Sequence, residues 1–215
     1  MNDLEAGITK ARAPLQQRGQ ARFELVLEAA YKLLSEEGFS GFSIPALAEQ
    51  LGFTRASIYN FFPTPYAVLN ELAKRELQSL EQDLVRVGAG RPQMPWQERI
   101  RLTVEEAARF YEEHPVAQLL ILGGQVSDES YRAQAMTIQH LGGLSQRMFV
   151  AAGIPLPQQP VDVMVLAVEL ATACLRHSVL LHGHITPAFR EEAVRVMQRY
   201  LTPYVRQVLV ARRTA

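Results

Sequence analysis

The chain has 215 residues, 48% of them hydrophobic and 20% charged. This is the composition of a folded protein with a sizeable core, and it argues against a disordered chain. The 22 basic and 22 acidic residues cancel, so the strong positive charge of many nucleic-acid-binding domains is missing. The single cysteine, Cys174, excludes an internal disulfide and any metal site built from several cysteines.

Apolar residues recur at helical spacing along the whole chain, with no convincing alternation of period two, which predicts an all-α protein of about nine helices. Residues 1–18 are polar and contain Pro14, so a flexible arm is expected there. They lack the apolar segment of a signal peptide, and a cytoplasmic location is expected. The first helix is predicted from Gln20 to Glu37, where Gly38 ends it.

Two short helices follow the first. Ser43 can cap a helix that extends to Gln50, and Thr54 can cap another that extends to Phe62. The joining segment LGF contains Gly52, which tolerates a left-handed backbone. Such a pair predicts a helix-turn-helix.

The remaining chain predicts longer helices separated by proline and glycine segments. A fourth helix is expected from Pro65 to about Val87, with Thr64 as its cap. Further helices are predicted at Trp96–Glu113, Pro115–Leu122, Ser127–Ala151, Val161–His182 and Pro187–Arg212.

The third helix of the chain, predicted from Thr54 to Phe62, has two faces on a helical wheel. Ile58, Phe61 and Phe62 fall on one side and are predicted to be buried. The opposite side carries one guanidinium, one methyl, one phenol and one amide, from Arg55, Ala56, Tyr59 and Asn60. These groups suit contact with base edges and phosphates, although a short surface helix with no such role would look similar.

The segment RFELVLEAAYKLLSEEGFSGFSIPALAEQLGFTRASIYNFFPTPYAVL, from Arg22 to Leu69, resembles the N-terminal DNA-binding domain of the TetR family of transcriptional regulators. Order and spacing agree without a gap at Ala29, Ala30, Gly38, Phe39, Ser43, Leu47, Ala48, Gly52, Phe53, Thr54, Ser57, Ile58, Tyr59, Phe62 and Leu69. The resemblance implies a DNA-binding domain over residues 19–64 and a ligand-binding and dimerisation domain over 65–215. The residues expected to contact DNA are Ser43, Thr54, Arg55, Ala56, Ser57, Tyr59, Asn60 and Tyr66.

Three positions depart from the family pattern. Phe42 replaces the usual threonine before the second helix, Pro65 replaces a lysine that typically contacts a phosphate, and Tyr66 replaces an acid. Residues 1–62 carry six basic and seven acidic residues, so electrostatic attraction to DNA is predicted to be weak. The basic residues of the arm are expected to supply much of the affinity that does not depend on sequence.

The last two long helices are predicted to form a homodimer interface, as the resemblance implies. Val161–Leu181 is apolar around nearly its whole circumference and must be covered on most faces. The final helix has an apolar stripe of Ala193, Val196, Met197, Tyr200, Leu201, Tyr204, Val205 and Val208. Packing of both helices within one protomer is the alternative.

The resemblance also implies a small-molecule effector among the middle helices, and the apolar bias there predicts a hydrophobic one. The residues expected to line its site are Trp96, Phe110, Tyr111, Met136, His140, Met164, Cys174 and His177, with Leu119, Leu122, Met148 and Glu169 as further candidates.

No metal, cofactor or catalytic site is predicted. Cys174 and His177 share a helix face, but spacing supplies no third ligand. The segment GGLSQ (142–146) is interpreted as a helix interruption, not a nucleophile elbow. The prediction is therefore a regulator, most simply a repressor that an effector releases from a pseudo-palindromic double-stranded DNA operator. The alternatives are an all-helical enzyme and a helical interaction module that has lost DNA binding.

Overall fold

The computed structural model describes residues 10–14, 17–88, 93–123 and 128–214, and among these it contains nine α-helices and no strand. The helices are α1 (Gln17–Gly41), α2 (Ile44–Leu51), α3 (Arg55–Tyr59), α4 (Pro65–Gly88), α5 (Trp96–Glu113), α6 (Pro115–Ala117), α7 (Asp128–Ala151), α8 (Val163–His182) and α9 (Pro187–Thr214). A π-helical turn, Gln118–Leu122, continues α6. The all-α prediction is confirmed.

The first three helices begin and end where side chains satisfy the backbone. The regular part of α1 ends at Gly38, whose φ of 65° is accessible to glycine at little cost. The Ser43 hydroxyl accepts a hydrogen bond from Ala46 N (3.2 Å), and the Thr54 hydroxyl accepts one from Ser57 N (3.3 Å). These are the N-caps predicted for α2 and α3.

An N-terminal hydrophobic core joins α1, α2, α3 and the first half of α4. Its fully buried members include Val26, Leu47, Ile58, Phe62 and Val68. The aromatic rings of Phe23 and Phe62 stack with their centroids 4.6 Å apart. This cluster fixes the angle between the two short helices and α1.

A separate C-terminal core contains residues from the second half of α4 and from α5, α7, α8 and α9. Gly142 of α7 lies so close to α8 that a Cβ there would approach the Val165 backbone to 2.7 Å. The GGLSQ segment therefore lies within an unbroken helix, and its interpretation as an interruption is wrong. Glycine is used at this position for close helix packing.

Two elements belong to both cores. Helix α4 contributes Val68 and Leu72 to the N-terminal core, and Leu80 and Leu84 to the C-terminal one. The segment after α5 places Val116 in the N-terminal core, where it is fully buried. Leu120 of the same segment packs against both clusters.

Several boundaries differ from the prediction. Helix α1 begins at Gln17, three residues before the expected Gln20, and α3 ends at Tyr59. The amides of Phe61 and Phe62 still bond to the Ile58 carbonyl, so the chain there turns tightly without completing another helical turn. Residues 89–92 and 124–127, which fall within two of the expected separators between helices, lie outside the described residues.

The apolar stripe predicted as a dimer interface on α9 lies mostly inside the protomer. Ala193, Met197, Leu201 and Val205 are buried in the C-terminal core, because α9 packs along α8 of its own chain. The exposed apolar side chains of α8 and α9 are different ones, Leu166, Leu180, Leu181, Leu209 and Val210. The stripe as predicted is therefore corrected to a self-packing face.

Within the described residues, α8 is the one helix whose length and apolar composition would suit a membrane span. Eight of its residues are buried, six of them in the C-terminal core, Met164 and Ala167 among these. A core helix passes the same compositional test, so this finding gives little support for a membrane location.

Candidate nucleic-acid interface

Helix α3 presents to solvent the four side chains that the wheel predicted. Arg55, Ala56, Tyr59 and Asn60 are exposed, with 42% of Tyr59 accessible. Ile58 of the same helix is fully buried. One face of α3 is thus free to contact another molecule while the other face anchors it.

Aromatic packing supports α3 from below. Phe62 is fully buried against the Phe23 ring, and Phe61 meets the same ring edge-on at 6.2 Å. Edge-to-face and offset stacks of this kind add to the apolar burial. The predicted anchoring role of Phe61 and Phe62 agrees with this geometry, although Phe61 remains half-buried.

The turn between α2 and α3 depends on Gly52. Its φ is 64°, and the following Phe53 amide donates to the Ala48 carbonyl at 2.9 Å. A side chain at position 52 would meet no atom within 4 Å. The preference for glycine is therefore conformational, because other residues resist a left-handed backbone.

The described part of the N-terminal arm is docked beside α3. The Arg12 amide donates to the Phe61 carbonyl at 2.7 Å, and Ala11 packs against the N-terminal core. Lys10 and Arg12 have exposed side chains. The prediction of a flexible arm over residues 1–18 stays a prediction; residues 10–14 contact the N-terminal core in this structure, and residues 1–9, 15 and 16 lie outside the described part.

Positive charge near α3 comes from four residues on three segments of the chain. Arg55 lies on α3 itself, Lys10 and Arg12 lie on the docked arm, and the Arg22 guanidinium stands 5.8 Å from the centroid of the Phe53 ring. A cation over an aromatic face is held in place without losing its charge. Basic groups thus lie on the segments next to α3, even though residues 1–62 carry six basic and seven acidic residues.

The remaining predicted DNA contacts lie at helix starts. Ser43 and Thr54 cap α2 and α3, so their hydroxyl groups already accept backbone hydrogen bonds. The Ser57 hydroxyl donates to the Thr54 carbonyl at 2.7 Å. Tyr66 is half-buried in the first turn of α4, beside the exposed Pro65. Pro65 has no amide hydrogen and the Ala67 amide donates to the Thr64 hydroxyl at 3.2 Å, so the start of α4 has few free amides for a phosphate in place of the missing lysine.

A polar cluster lies where the two cores meet. Glu76 of α4 is buried, and its carboxylate is 3.2 Å from Nδ1 of His114, whose ring stacks on Phe110 at 4.1 Å. Burial raises the pKa of Glu76, and His114 opposes this rise. Burial and the nearby Glu76 carboxylate raise the pKa of Tyr31 on α1. Sequence analysis missed this junction because its members are far apart in the chain.

The residues predicted to line an effector site do not converge. Phe110, Tyr111 and Met164 are buried core residues, and Trp96 and Cys174 are partly buried at its edge. Burial raises the pKa of both the Tyr111 hydroxyl and the Cys174 thiol, so neither group is activated.

Three of the predicted effector contacts lie on the protein surface. Met136 is 73% exposed, the His140 imidazole is 2.8 Å from a carboxylate oxygen of Glu81, and His177 packs against Phe189. Their role as effector contacts stays a prediction. Among the described residues, no group of three histidine, cysteine or acidic side chains could hold a metal ion.

Comparison with known proteins gives the context for this surface. The family model described as bacterial regulatory proteins, tetR family, matches residues 26–72. No curated protein sequence matches the chain significantly.

Solved structures share the whole fold. A TetR-family transcriptional regulator from Streptomyces coelicolor is 20% identical, covers 85% of this chain and 99% of its own, and has a TM-score of 0.66. The multidrug binding protein EbrR, complexed with imidazole, is 14% identical, with 86% and 93% coverage and a TM-score of 0.65. A TetR transcriptional regulator from Rhodococcus sp. RHA1 is 18% identical, with 86% and 98% coverage and a TM-score of 0.62.

At these identities the solved structures bear on the fold, while the family model covers the segment that contains α2, α3 and their supporting residues. Both findings agree with the exposed face of α3. The three departures from the family pattern are single-residue substitutions that leave the match intact. Residues 26–72 thus match the TetR-family model and the chain has the fold of solved TetR-family regulators, which supports a DNA-binding transcriptional regulator.

Proposed function

We propose that the protein is a homodimeric repressor that a small effector releases from a pseudo-palindromic operator. Residues 19–64 form the reading head, and residues 65–215 form the effector-binding and dimerisation part. The observation that carries the proposal is the exposed face of α3, on which Arg55, Tyr59 and Asn60 stand over a fully buried Ile58. Such a helix fits the major groove.

The test of the reading head uses the DNA that flanks the protein's own coding region. Replacing Arg55 by alanine is expected to weaken binding by about 1–3 kcal/mol per lost base or phosphate contact, and Tyr59→Phe is expected to weaken it less. Arg101→Ala is the matched control, because Arg101 lies on α5 and pairs with Glu98 and Glu105. Equal affinity of the Arg55→Ala variant and the wild type would remove the basis of the proposal.

The docked arm supports a role in non-specific affinity. Lys10 and Arg12 are exposed beside the carboxyl end of α3. Each phosphate neutralised by such a group adds about 0.9 to the magnitude of the slope of log affinity against log salt. Substituting both by alanine is expected to flatten that slope, and an unchanged slope would exclude contact between the arm and DNA.

A dimer through α8 and α9 accounts for their exposed apolar side chains, of which Leu180 is 77% and Leu181 57% accessible. Contiguous exposed apolar groups mark interaction surfaces, and a two-fold interface would set two reading heads one DNA turn apart. Leu180→Glu is expected to give a monomer in light scattering. Met136→Glu, at a similarly exposed position of α7, is the control that should leave the dimer intact.

Effector control is supported by the two elements shared between the cores. Displacement of α4 or of the segment around Val116 would alter the N-terminal core directly, since both are buried in it. A coupling of this kind amounts to about 1–3 kcal/mol, or about 5–150-fold in affinity. Two observations support a small hydrophobic effector. A protein of the same fold, the multidrug binding protein EbrR, binds a small molecule, and the middle helices of this chain are apolar in composition.

A further inference from the structure

An acidic side chain is buried where the two cores meet. Glu76 of α4 is 9% exposed. It lies one turn after Leu72, which belongs to the N-terminal core, and one turn before Leu80, which belongs to the C-terminal core. A buried carboxylate is costly unless a cation or several hydrogen bonds compensate its charge. Packing alone therefore does not explain an acidic residue at this point of α4.

The compensation that the structure gives to Glu76 is incomplete. Nδ1 of His114 lies 3.2 Å from Oε2 of Glu76, yet within the described residues this oxygen has no hydrogen bond of good geometry. Buried polar atoms nearly always have such a partner. One proton shared between the carboxylate and the imidazole would provide it, because the two groups then form either an ion pair or a neutral hydrogen-bonded pair.

His114 is fixed by its neighbours but remains open to solvent. Its amide donates to the Phe110 carbonyl and its carbonyl accepts from the Gln118 amide, both at 2.9 Å. Its ring stacks on the Phe110 ring with the centroids 4.1 Å apart. The side chain is nevertheless 36% exposed, so a proton can reach the pair from solvent without unfolding. Imidazole is the side-chain group whose charge ordinarily changes between about pH 5 and 8.

The other titratable groups around Glu76 do not replace His114. Tyr31 of α1 faces Glu76, and it stays neutral at these pH values because burial and the Glu76 charge raise the pKa of its hydroxyl. Arg75, the neighbour of Glu76 on α4, donates to both oxygens of Glu24 on α1. Within the part of the chain that the structure describes, His114 is thus the cation that acts on Glu76.

The chain that follows His114 connects the pair to both halves of the protein. It places Val116 in the N-terminal core and the π-helical turn, Gln118–Leu122, against the C-terminal core. The Gln118 side-chain amide also donates to the Gly183 carbonyl between α8 and α9, at 3.4 Å. Turns of the π type are rare and occur often at functional sites. A shift of His114 would therefore reach the packing of the reading head.

We propose that Glu76 and His114 form a proton-dependent latch between the two cores, which holds the reading heads for operator binding while the pair carries a proton. When the proton leaves, a buried carboxylate faces a neutral ring, and the packing of α4 against the segment after α5 becomes less favourable. Val116 then loses its fixed place in the N-terminal core, and the heads bind the operator more weakly. This inference rests on the proposed function and adds a proton to its regulation.

The latched state binds the proton more tightly than an open state does. Burial raises the pKa of Glu76 in the latched state, whereas the carboxyl is solvated when the latch opens. Operator affinity should therefore fall as the pH rises from the ordinary carboxyl pKa through the raised one. Linkage to one proton permits a change of at most about tenfold per pH unit, and between pH 6 and 8 we expect a loss of about three- to tenfold.

The test measures operator affinity by fluorescence anisotropy at pH 6, 7 and 8 and constant ionic strength, using the DNA that flanks the protein's own coding region. Glu76→Gln has the shape of the protonated side chain and should bind at every pH as the wild type does at pH 6. His114→Gln should bind several-fold more weakly than the wild type at pH 6, because its amide can donate to Glu76 without neutralising it. Equal wild-type affinity at pH 6 and 8, or a pH dependence that persists in Glu76→Gln, would overturn the proposal.

His140→Gln is the matched control. His140 also faces a glutamate, since its Nε2 lies 2.8 Å from Oε2 of Glu81, but this pair is on the surface and joins α4 to α7 within the C-terminal half. The variant should keep the pH dependence of the wild type. Its loss would overturn the assignment of the proton to Glu76 and His114.

Hydrogen exchange of the free, full-length protein separates the latch from DNA binding. After correction for the intrinsic pH dependence of exchange, the amides of His114 and Gln118 should be less protected at pH 8 than at pH 6 in the wild type, and equally protected in Glu76→Gln. Such a loss of protection without operator binding at any pH would support the latch and refute the proposed function. Operator binding independent of pH, with unchanged protection, would keep the proposed function and overturn the latch.

Discussion

Phe62→Ala tests whether the reading head has a core of its own. Phe62 is fully buried and stacks on Phe23 with centroids 4.6 Å apart and ring planes at 22°. Removing a buried aromatic ring typically costs about 3–5 kcal/mol through lost transfer free energy and the cavity left behind. Domains are stable by only about 5–15 kcal/mol, so much of the stability of the N-terminal core should be lost.

The single tryptophan makes this loss measurable in one part of the protein. Trp96 packs against the C-terminal core, so its fluorescence reports that core, while far-ultraviolet circular dichroism reports all helices. In Phe62→Ala we expect part of the dichroism to be lost at a lower urea concentration than the wild type requires. Trp96 emission should change close to the wild-type midpoint, and DNA binding should fall with the early transition.

The neighbouring Phe61→Ala is the matched control. Phe61 is half-buried and meets Phe23 only edge-on, so we expect a loss of about 1 kcal/mol. Equal destabilisation by the two variants would contradict the burial argument. Coincident shifts of dichroism and Trp96 emission in Phe62→Ala would show that the two cores unfold as one unit, contrary to the reasoning above.

Two further predictions concern pH. The Arg75 guanidinium donates to both oxygens of Glu24, at 2.6 and 2.8 Å, and lowers the pKa of that carboxyl. The pair should stabilise the fold by under about 1 kcal/mol, because it is so exposed, and this contribution should be full above the ordinary carboxyl pKa and lost as the pH falls through the lowered pKa. Glu24→Gln should lack this pH dependence when urea unfolding is followed from pH 3 to 7. Glu76 behaves oppositely, because its pKa is raised. The folded state binds the extra proton, so the free energy of unfolding falls as the pH rises from the ordinary carboxyl pKa through the raised pKa. Glu76→Gln should therefore be more stable than the wild type at pH 7, and an equal or lower unfolding midpoint would contradict this assignment.

Much of the fold could be predicted because its signals are local. Ser43 and Thr54 act as the predicted caps, and Gly38 and Gly52 adopt the left-handed backbone that ends a helix. The wheel also separated Ile58 from Tyr59 correctly, since one face of so short a helix must be covered. Capping and periodicity need no knowledge of what lies elsewhere in the chain.

Features that depend on which helices meet could not be predicted in the same way. A wheel shows that Leu201 and Val205 are buried but cannot distinguish the protomer's own α8 from a partner's. Depth is hidden from the sequence in a similar way, because Met136 and His177 were chosen for their residue type and the structure places both at the surface of the protomer.

The burial of Val116 in the N-terminal core has a consequence for how such a chain can change over time. A side chain from the segment after α5 packs into the N-terminal core, so the N-terminal helices cannot be exchanged between relatives as an independent module without leaving a void. Grafted heads should keep their operator preference only when the donor's residue at this position is transferred with them.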